Sequence, residues 1–429
     1  MPKKGKKGKK KGGKKKKKTI AGAEDIIQRL YKCYERNCAL TDSQMCPGIK
    51  QALKACQENN TVLEKFIFES QIPENEGDLP VLIEPILAAI RQDRYIFIKA
   101  LHIWDYPMSI ENAATLALLI ERQCYPLRVI ELMDCLLEPY SVKRLSRSFN
   151  ICESLTHVVL DYNEFGDEGC KDFCKGLEKN ITLLSLSMCY CDLSPKSGEY
   201  LGELVSKTAV RDLYLNGNNI ESEGASLIIK LCTEQAEYEA IKRAEEAKRK
   251  EQEEAEKALK EKELGYKSSE PSDKEGSPPG SAKKKKKKGK KKKKKEPPPP
   301  PPVGPWLHKL HINDNGIDGL LYGKECASLD FIRDIKKLIM FSECFEELDL
   351  DDNLIGDLGG KEIQEALEYR KEETKLGGVK VLTTHRMKTD TFNSIVKLGS
   401  GLKKKKKKGG KKISFSEKEE VSSRKGRTT

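Results

Sequence analysis

The chain has 429 residues and carries 80 Lys and Arg against 67 Asp and Glu, a formal net charge of +13. Thirty-two of the lysines lie in three runs, at 3–18, 283–295 and 403–412, and the rest of the chain is acidic, with 48 basic residues against 67 acidic ones. With 37% hydrophobic and 34% charged residues, only selected stretches can build a core, and no run of 18 apolar residues exists to suggest a membrane span.

Residues 1–19 form a Lys-rich tail expected to be disordered, and they contain no apolar segment of the kind a secretion signal needs. The reading is therefore an intracellular chain whose 14 cysteines stay reduced and serve as small core residues. Cys33 with Cys38, and Cys189 with Cys191, lack the paired C-x-x-C spacing of a zinc site. Residues 20–60 are predicted to be helical, with Ile26, Ile27, Leu30, Tyr31 and Tyr34 on one face that would cap the element following it.

From residue 61 the template L-x-x-L-x-L-x-x-N/C-x-L recurs. Degenerate copies fall at Leu63, Phe66, Phe68 and at Ile98, Leu101, Ile103. Full copies follow at Leu127, Ile130, Leu132, Cys135, Leu137 and at Leu155, Val158, Leu160, Asn163, Phe165. The next are set at Ile181, Leu184, Leu186, Cys189, Cys191 and at Val210, Leu213, Leu215, Asn218, Ile220. The Asn/Cys positions are then 28, 26 and 29 residues apart, long enough for a strand and a full helix in each unit. Alternating apolar residues point one side of a short strand inward, and Cys170, Phe173, Cys174 and Leu177 then follow helical spacing.

The first block of repeats is assigned to 61–235. Residues 236–265 read as a charged single helix, solvated and held by Glu/Lys pairs four apart, without the apolar seam of a coiled coil. Residues 266–304, with the twelve lysines of 283–295 and the prolines of 297–302, read as a disordered insertion in which the prolines act as a spacer. Repeats resume over 305–372 at Leu307, Leu310, Ile312, Asn315, Ile317 and at Phe345, Leu348, Leu350, Asn353, Ile355. Because 97 residues separate Asn218 from Asn315, the array is expected to break there. Residues 373–429 form a C-terminal segment ending in a Lys-rich disordered tail.

The alternation Cys135, Asn163, Cys189, Asn218, with Asn163-Glu164-Phe165-Gly166-Asp167-Glu168-Gly169 and Asn353-Leu354-Ile355-Gly356-Asp357-Leu358-Gly359, resembles the ribonuclease-inhibitor type of leucine-rich repeat. The resemblance implies an α/β solenoid, a horseshoe of roughly eight units whose strands line a concave face. It does not imply one function. This repeat type serves nuclease inhibition, small-GTPase activation, actin capping, innate sensing and axonemal scaffolding.

No G-x-x-x-x-G-K-[ST], H-E-x-x-H or G-x-S-x-G motif occurs, and the reading is non-enzymatic, with no cofactor and no metal. Residues flanking the inward apolars should meet a protein partner on the concave face: His157, Asp161, Tyr162, Arg211, Tyr214, Asn216, His308, His311, Asp314, Glu346, Glu347, Asp349, Asp351 and Asp352. His308 and His311 are expected on the same side of their strand. The acids of 346–352 would form a solvated surface, or would dock a basic partner or the chain's own lysines.

The lysine runs, represented by Lys14, Lys15, Lys16, Lys285, Lys292, Lys403 and Lys404, have no interleaved aromatics and would hold a polyanion by charge alone. Tubulin tails, nucleic acid backbone and anionic lipid all fit that chemistry. A charged helix and lysine runs beside such repeats are similar to axonemal repeat proteins. The favoured function is thus a protein-binding scaffold on the microtubule, placed in the cytoplasm, cytoskeleton and ciliary or flagellar axoneme. The alternatives are a nuclear or nucleolar nucleic-acid-associated protein, a small-GTPase regulator like the branch acting on Ran, and a leiomodin-like actin binder using 391–404.

Overall fold

The computed structural model describes residues 22–69, 77–266, 302–318, 327–384 and 386–399. Two helices open the described chain, α1 (Ala23–Leu40) and α2 (Pro47–Glu58). Strands and helices then alternate: β1 (Lys65–Glu69), α3 (Glu84–Gln92), β2 (Ala100–Trp104), α4 (Ile110–Ile120), β3 (Val129–Met133), α5 (Pro139–Ile151), β4 (His157–Val159), α6 (Gly166–Gly176), β5 (Ser185–Ser187), α7 (Pro195–Lys207), β6 (Asp212–Tyr214) and α8 (Glu221–Tyr266). They continue through β7 (Lys309–His311), α9 (Ala327–Phe341), β8 (Glu347–Leu350), α10 (Gly356–Glu372), β9 (Lys380–Thr383) and α11 (Thr389–Gly399).

The nine strands make one parallel sheet in chain order, and consecutive helices from α3 to α11 pack on one another. Parallel neighbours need a crossover, and here each crossover is a helix that covers the sheet with its apolar stripe. The inward strand residues Phe66, Leu101, Ile130, Val158, Leu186, Leu213, Leu310 and Leu348 pair along one register and are fully buried. This is the α/β solenoid of leucine-rich repeats. At the front, α1 packs on α2 and α3, and α2 packs on β1.

Buried Asn side chains set the turns after β4, β6, β7 and β8. Asn163 accepts hydrogen bonds from the Cys135 and Leu137 amides at 3.0 and 3.2 Å and donates to the Leu132 and Leu160 carbonyls, both at 2.8 Å. Asn218 and Asn353 repeat the same contacts two and four strands further along. The backbone groups left over where a strand ends are thereby satisfied inside the core.

Three expectations are corrected. The unit placed at Ile181, Leu184, Leu186, Cys189 is displaced by two residues: Leu186 pairs with Val158, so the inward set is Leu183, Leu186, Met188, Cys191, Leu193. Ile181 is exposed, and the amide of Cys191, not of Cys189, bonds Asn218. The array does not break after β6 either. Asp212 pairs with Lys309 and Tyr214 with His311, so the sheet continues directly from β6 to β7 although 97 residues separate Asn218 from Asn315. Finally the sheet runs past residue 372, because β9 pairs with β8 and α11 packs on both α10 and β9.

The base of α8 is built into the helix layer between α7 and α9. Cys232 is buried there, and Arg243 donates to the Phe341 carbonyl at 2.5 Å and pairs with Glu343. From Ala244 to Lys260 every residue is exposed, and the pairs Arg249–Glu253 and Lys260–Glu256 lie four apart, as a solvated helix requires.

Candidate functional site

Because side chains alternate along a strand, the residues that do not face the helices form rows across the open side of the sheet. The first row includes Val129, His157, Ser185, Asp212, Lys309, Glu347 and Lys380. The second includes Ile67, His102, Glu131, Val159, Ser187, Tyr214, His311, Asp349 and Leu382. The face mixes apolar and aromatic residues with Lys65, Glu69 and Glu131 over β1–β4 and is mainly charged over β6–β9.

On the charged half, Tyr214 lies 4.7 Å from His311 between ring centroids. His311 sits between Glu347 and Asp349, at 3.6 and 3.5 Å. Burial holds the His311 imidazole below its ordinary value despite these two acids, so it is neutral near pH 7. Burial works against the Glu347 carboxylate, but the hydrogen bond from Lys380 at 2.6 Å and the nearby positive charges keep it below the usual range. Part of the acidic strand is thus already neutralised by β9.

Asp161, Asn216 and Asp351 follow two residues later, at the strand ends. Asp161 accepts from the Ser187 hydroxyl at 2.6 Å and the Cys189 amide at 2.9 Å, and Asn216 accepts from the Asn313 amide at 3.0 Å. These two side chains hold the adjacent strand as well as facing outward. Tyr162, Asp314 and Asp352 lie at the turn that follows.

Arg211, His308 and Glu346 fall outside the open rows. They are cross-strand neighbours at the opposite end of the strands, with the His308 amide on the Arg211 carbonyl and the Glu346 amide on the His308 carbonyl. His308 and His311 therefore do not share a side: three residues apart on a strand, they point opposite ways. Burial beside Arg211 lowers the His308 value.

Sequence reasoning missed several residues of this face, among them His102, Trp104, Lys380 and Tyr190. His102 is buried on it, its ring bonded to Glu131, which also accepts from the Trp104 indole at 3.2 Å. Lys380 and Tyr190 were hidden by the unrecognised ninth strand and by the misplaced third unit. Lys14, Lys15, Lys16, Lys285, Lys292, Lys403 and Lys404 lie outside the described residues. Among the described residues no group of three or more His, Cys, Asp or Glu could hold a metal ion, and no helix is long and apolar enough to cross a membrane.

One strand and one helix per unit, with buried Asn or Cys at the turn, define leucine-rich repeats. The chain carries them: residues 152–174, 207–228 and 341–363 match the leucine-rich-repeat family. The chain is similar to three mouse (Mus musculus) proteins. It is 30% identical over 110 residues to NACHT, LRR and PYD domains-containing protein 4E, and likewise to protein 4C, each match covering 24% of this chain and 11% of the relative. It is 27% identical over 123 residues to NACHT, LRR and PYD domains-containing protein 14, covering 28% and 12%. The chain spans about a tenth of the length of these curated relatives.

Proposed function

We propose that this chain is a non-enzymatic scaffold, a horseshoe capped by α1 and α2 that binds a protein partner on its open sheet face and an acidic polymer through its lysine runs. The observation that carries the first half is the face itself. Helices occupy one side of the nine-stranded sheet, and the other presents His102, Tyr214, His311 and Asp349 in register. Leucine-rich repeats serve protein binding, and a rigid array of short strands suits that use because it fixes side chains over a wide area.

The second half rests on charge: 32 lysines gathered in three runs on an otherwise acidic chain suit a polymer with dense negative charge and no required sequence. The microtubule of a cilium or flagellum is the polymer this reading favours, tubulin's acidic tails being the contact. The test is co-sedimentation of the full chain, and of a version without the three lysine runs, with intact and tail-cleaved microtubules across a salt series. Pelleting that is lost with either the lysines or the tails supports the tether. Failure to pellet at low salt refutes it and directs the same assay to RNA.

A further inference from the structure

At the turn that ends each strand, one residue takes the left-handed backbone conformation, φ between 50° and 69°, in seven consecutive units from β2 to β8. In four units it is Asp (Asp105, Asp134, Asp314, Asp352) and in one it is Gly217, residue types that tolerate this conformation. The other two units use Tyr162 and Tyr190. A bulky aromatic gains nothing from this backbone, so its presence there has to come from what the ring does.

The two rings stack face to face, 4.8 Å between centroids and 4° between planes, yet remain 50% and 42% exposed. Gly217 leaves room for them, since a Cβ there would lie 2.1 Å from the Tyr190 ring. Beyond Gly217 stand the exposed carboxylates of Asp314 and Asp352. Desolvation, then the proximity of Tyr162, Asp314 and Asp352, push the Tyr190 hydroxyl up, as a negative local potential would.

We propose that Tyr162, Tyr190, Asp314 and Asp352 form a docking ridge for an arginine-bearing segment of a partner protein. This deepens the protein-binding reading and rests on it. Arginine fits better than lysine because its planar guanidinium stacks on tyrosine and forks onto a carboxylate. With strands about 4.8 Å apart, Asp314 lies two strands, roughly 10 Å, from Tyr190, and an extended segment covers that in about three residues.

The test is fluorescence anisotropy of the full chain at low ionic strength with a labelled Gly/Ser peptide carrying two arginines three residues apart, and with its Lys and Gln counterparts. The variants are Y162N/Y190N, which keeps a residue suited to left-handed backbone, D314N/D352N, and E246Q/E254Q on the exposed part of α8 as a charge control; circular dichroism melts verify folding. The Arg peptide should bind more tightly than the Lys peptide, and either ridge variant should weaken it by about tenfold, the effect of losing about 1.4 kcal/mol. The control should not.

Equal losses in all three variants, or none in the ridge variants, overturn the ridge. So does tightening by about tenfold when residues 283–295 are deleted, because the occupant is then the chain's own lysine run. Microtubule pelleting is read on different residues, so a failed ridge leaves the tether untouched, and a failed tether leaves the ridge.

Discussion

The asparagine at the strand end should be the most sensitive polar position in the array, and Asn163→Ala isolates it. Asn163 is fully buried. Truncation leaves the Cys135 and Leu137 amides and the Leu132 carbonyl without the partners they had at 3.0, 3.2 and 2.8 Å. The Asp161 carbonyl loses less, because it still accepts from the Asp134 amide. Buried groups left unpaired cost about 1–3 kcal/mol each, and water entering the vacated space recovers part of that, so the net loss should be about 2–5 kcal/mol.

Cys135→Ala is the comparison, because the thiol occupies the equivalent slot one strand earlier. It is a weak donor to the Ile103 and Met133 carbonyls, each at 3.4 Å, and Met133 keeps a bond from the Asp105 amide. That substitution should cost about 1 kcal/mol. Urea unfolding midpoints give the two values, and hydrogen exchange over residues 132–138 should quicken in Asn163→Ala more than in Cys135→Ala. If the two variants fall within about 0.5 kcal/mol of each other, the ladder argument is wrong.

Arg370 is buried and donates to the Ile339 and Ser342 carbonyls at the end of α9, at 2.6 and 2.7 Å. Arg370→Met should lower the urea stability by about 2–4 kcal/mol, and Arg370→Lys should not restore it, because one ammonium cannot replace the fork. Gly217→Ala should cost about 1–2 kcal/mol from the positive φ and the displaced Tyr190 ring, and should alter the near-ultraviolet tyrosine dichroism. Deleting residues 244–260 in register should leave the thermal midpoint unchanged, since the body makes no use of those exposed side chains. For His311 the folded value is depressed by burial, with Asp349, Glu347, Lys380 and Lys309 facing it. The unfolded chain then takes up its proton at a higher pH, so this contribution is full above the ordinary value of 6.5 and fades as pH falls through the lower folded value. His311→Gln should flatten the acid side of the stability curve.

The repeats were legible because Asn163, Asn218, Asn315 and Asn353 stand three residues after an apolar alternation. The third unit was misplaced for a physical reason. Leu183 and Leu184 are adjacent, and Cys189 and Cys191 are two apart, so the template fits in two registers. The choice is made by contacts that sequence does not display: Met188 fills the inward slot and Asp161 reaches across to the Cys189 amide. That shift concealed Tyr190, the partner in the aromatic stack. The ninth strand escaped notice because only Val379 and Val381 carry its inward pattern, and Arg386 stands where a turn Asn would be.

The insertion was the hardest feature to read, because 97 residues between two asparagines look like the end of an array. In space they cost the sheet nothing. A helix of a repeat is tied to its unit by its first turns, where it packs on its neighbours, and its far end can lengthen without moving the next strand. Cys232 and Arg243 tie α8 in this way, and the exposed stretch after Arg243 adds about 1.5 Å per residue beyond the body. Lys285 and Lys292 follow that helix in sequence, whereas Tyr162, Tyr190 and Asp349 belong to the strands and their turns. In the proposed reading the polymer is held by the lysine runs and the partner by the sheet, on different residues, so the two should bind without competing. A three-component pelleting experiment measures this directly: the ridge peptide should sediment with microtubules only when the chain is present, and excess peptide should not release the chain from them.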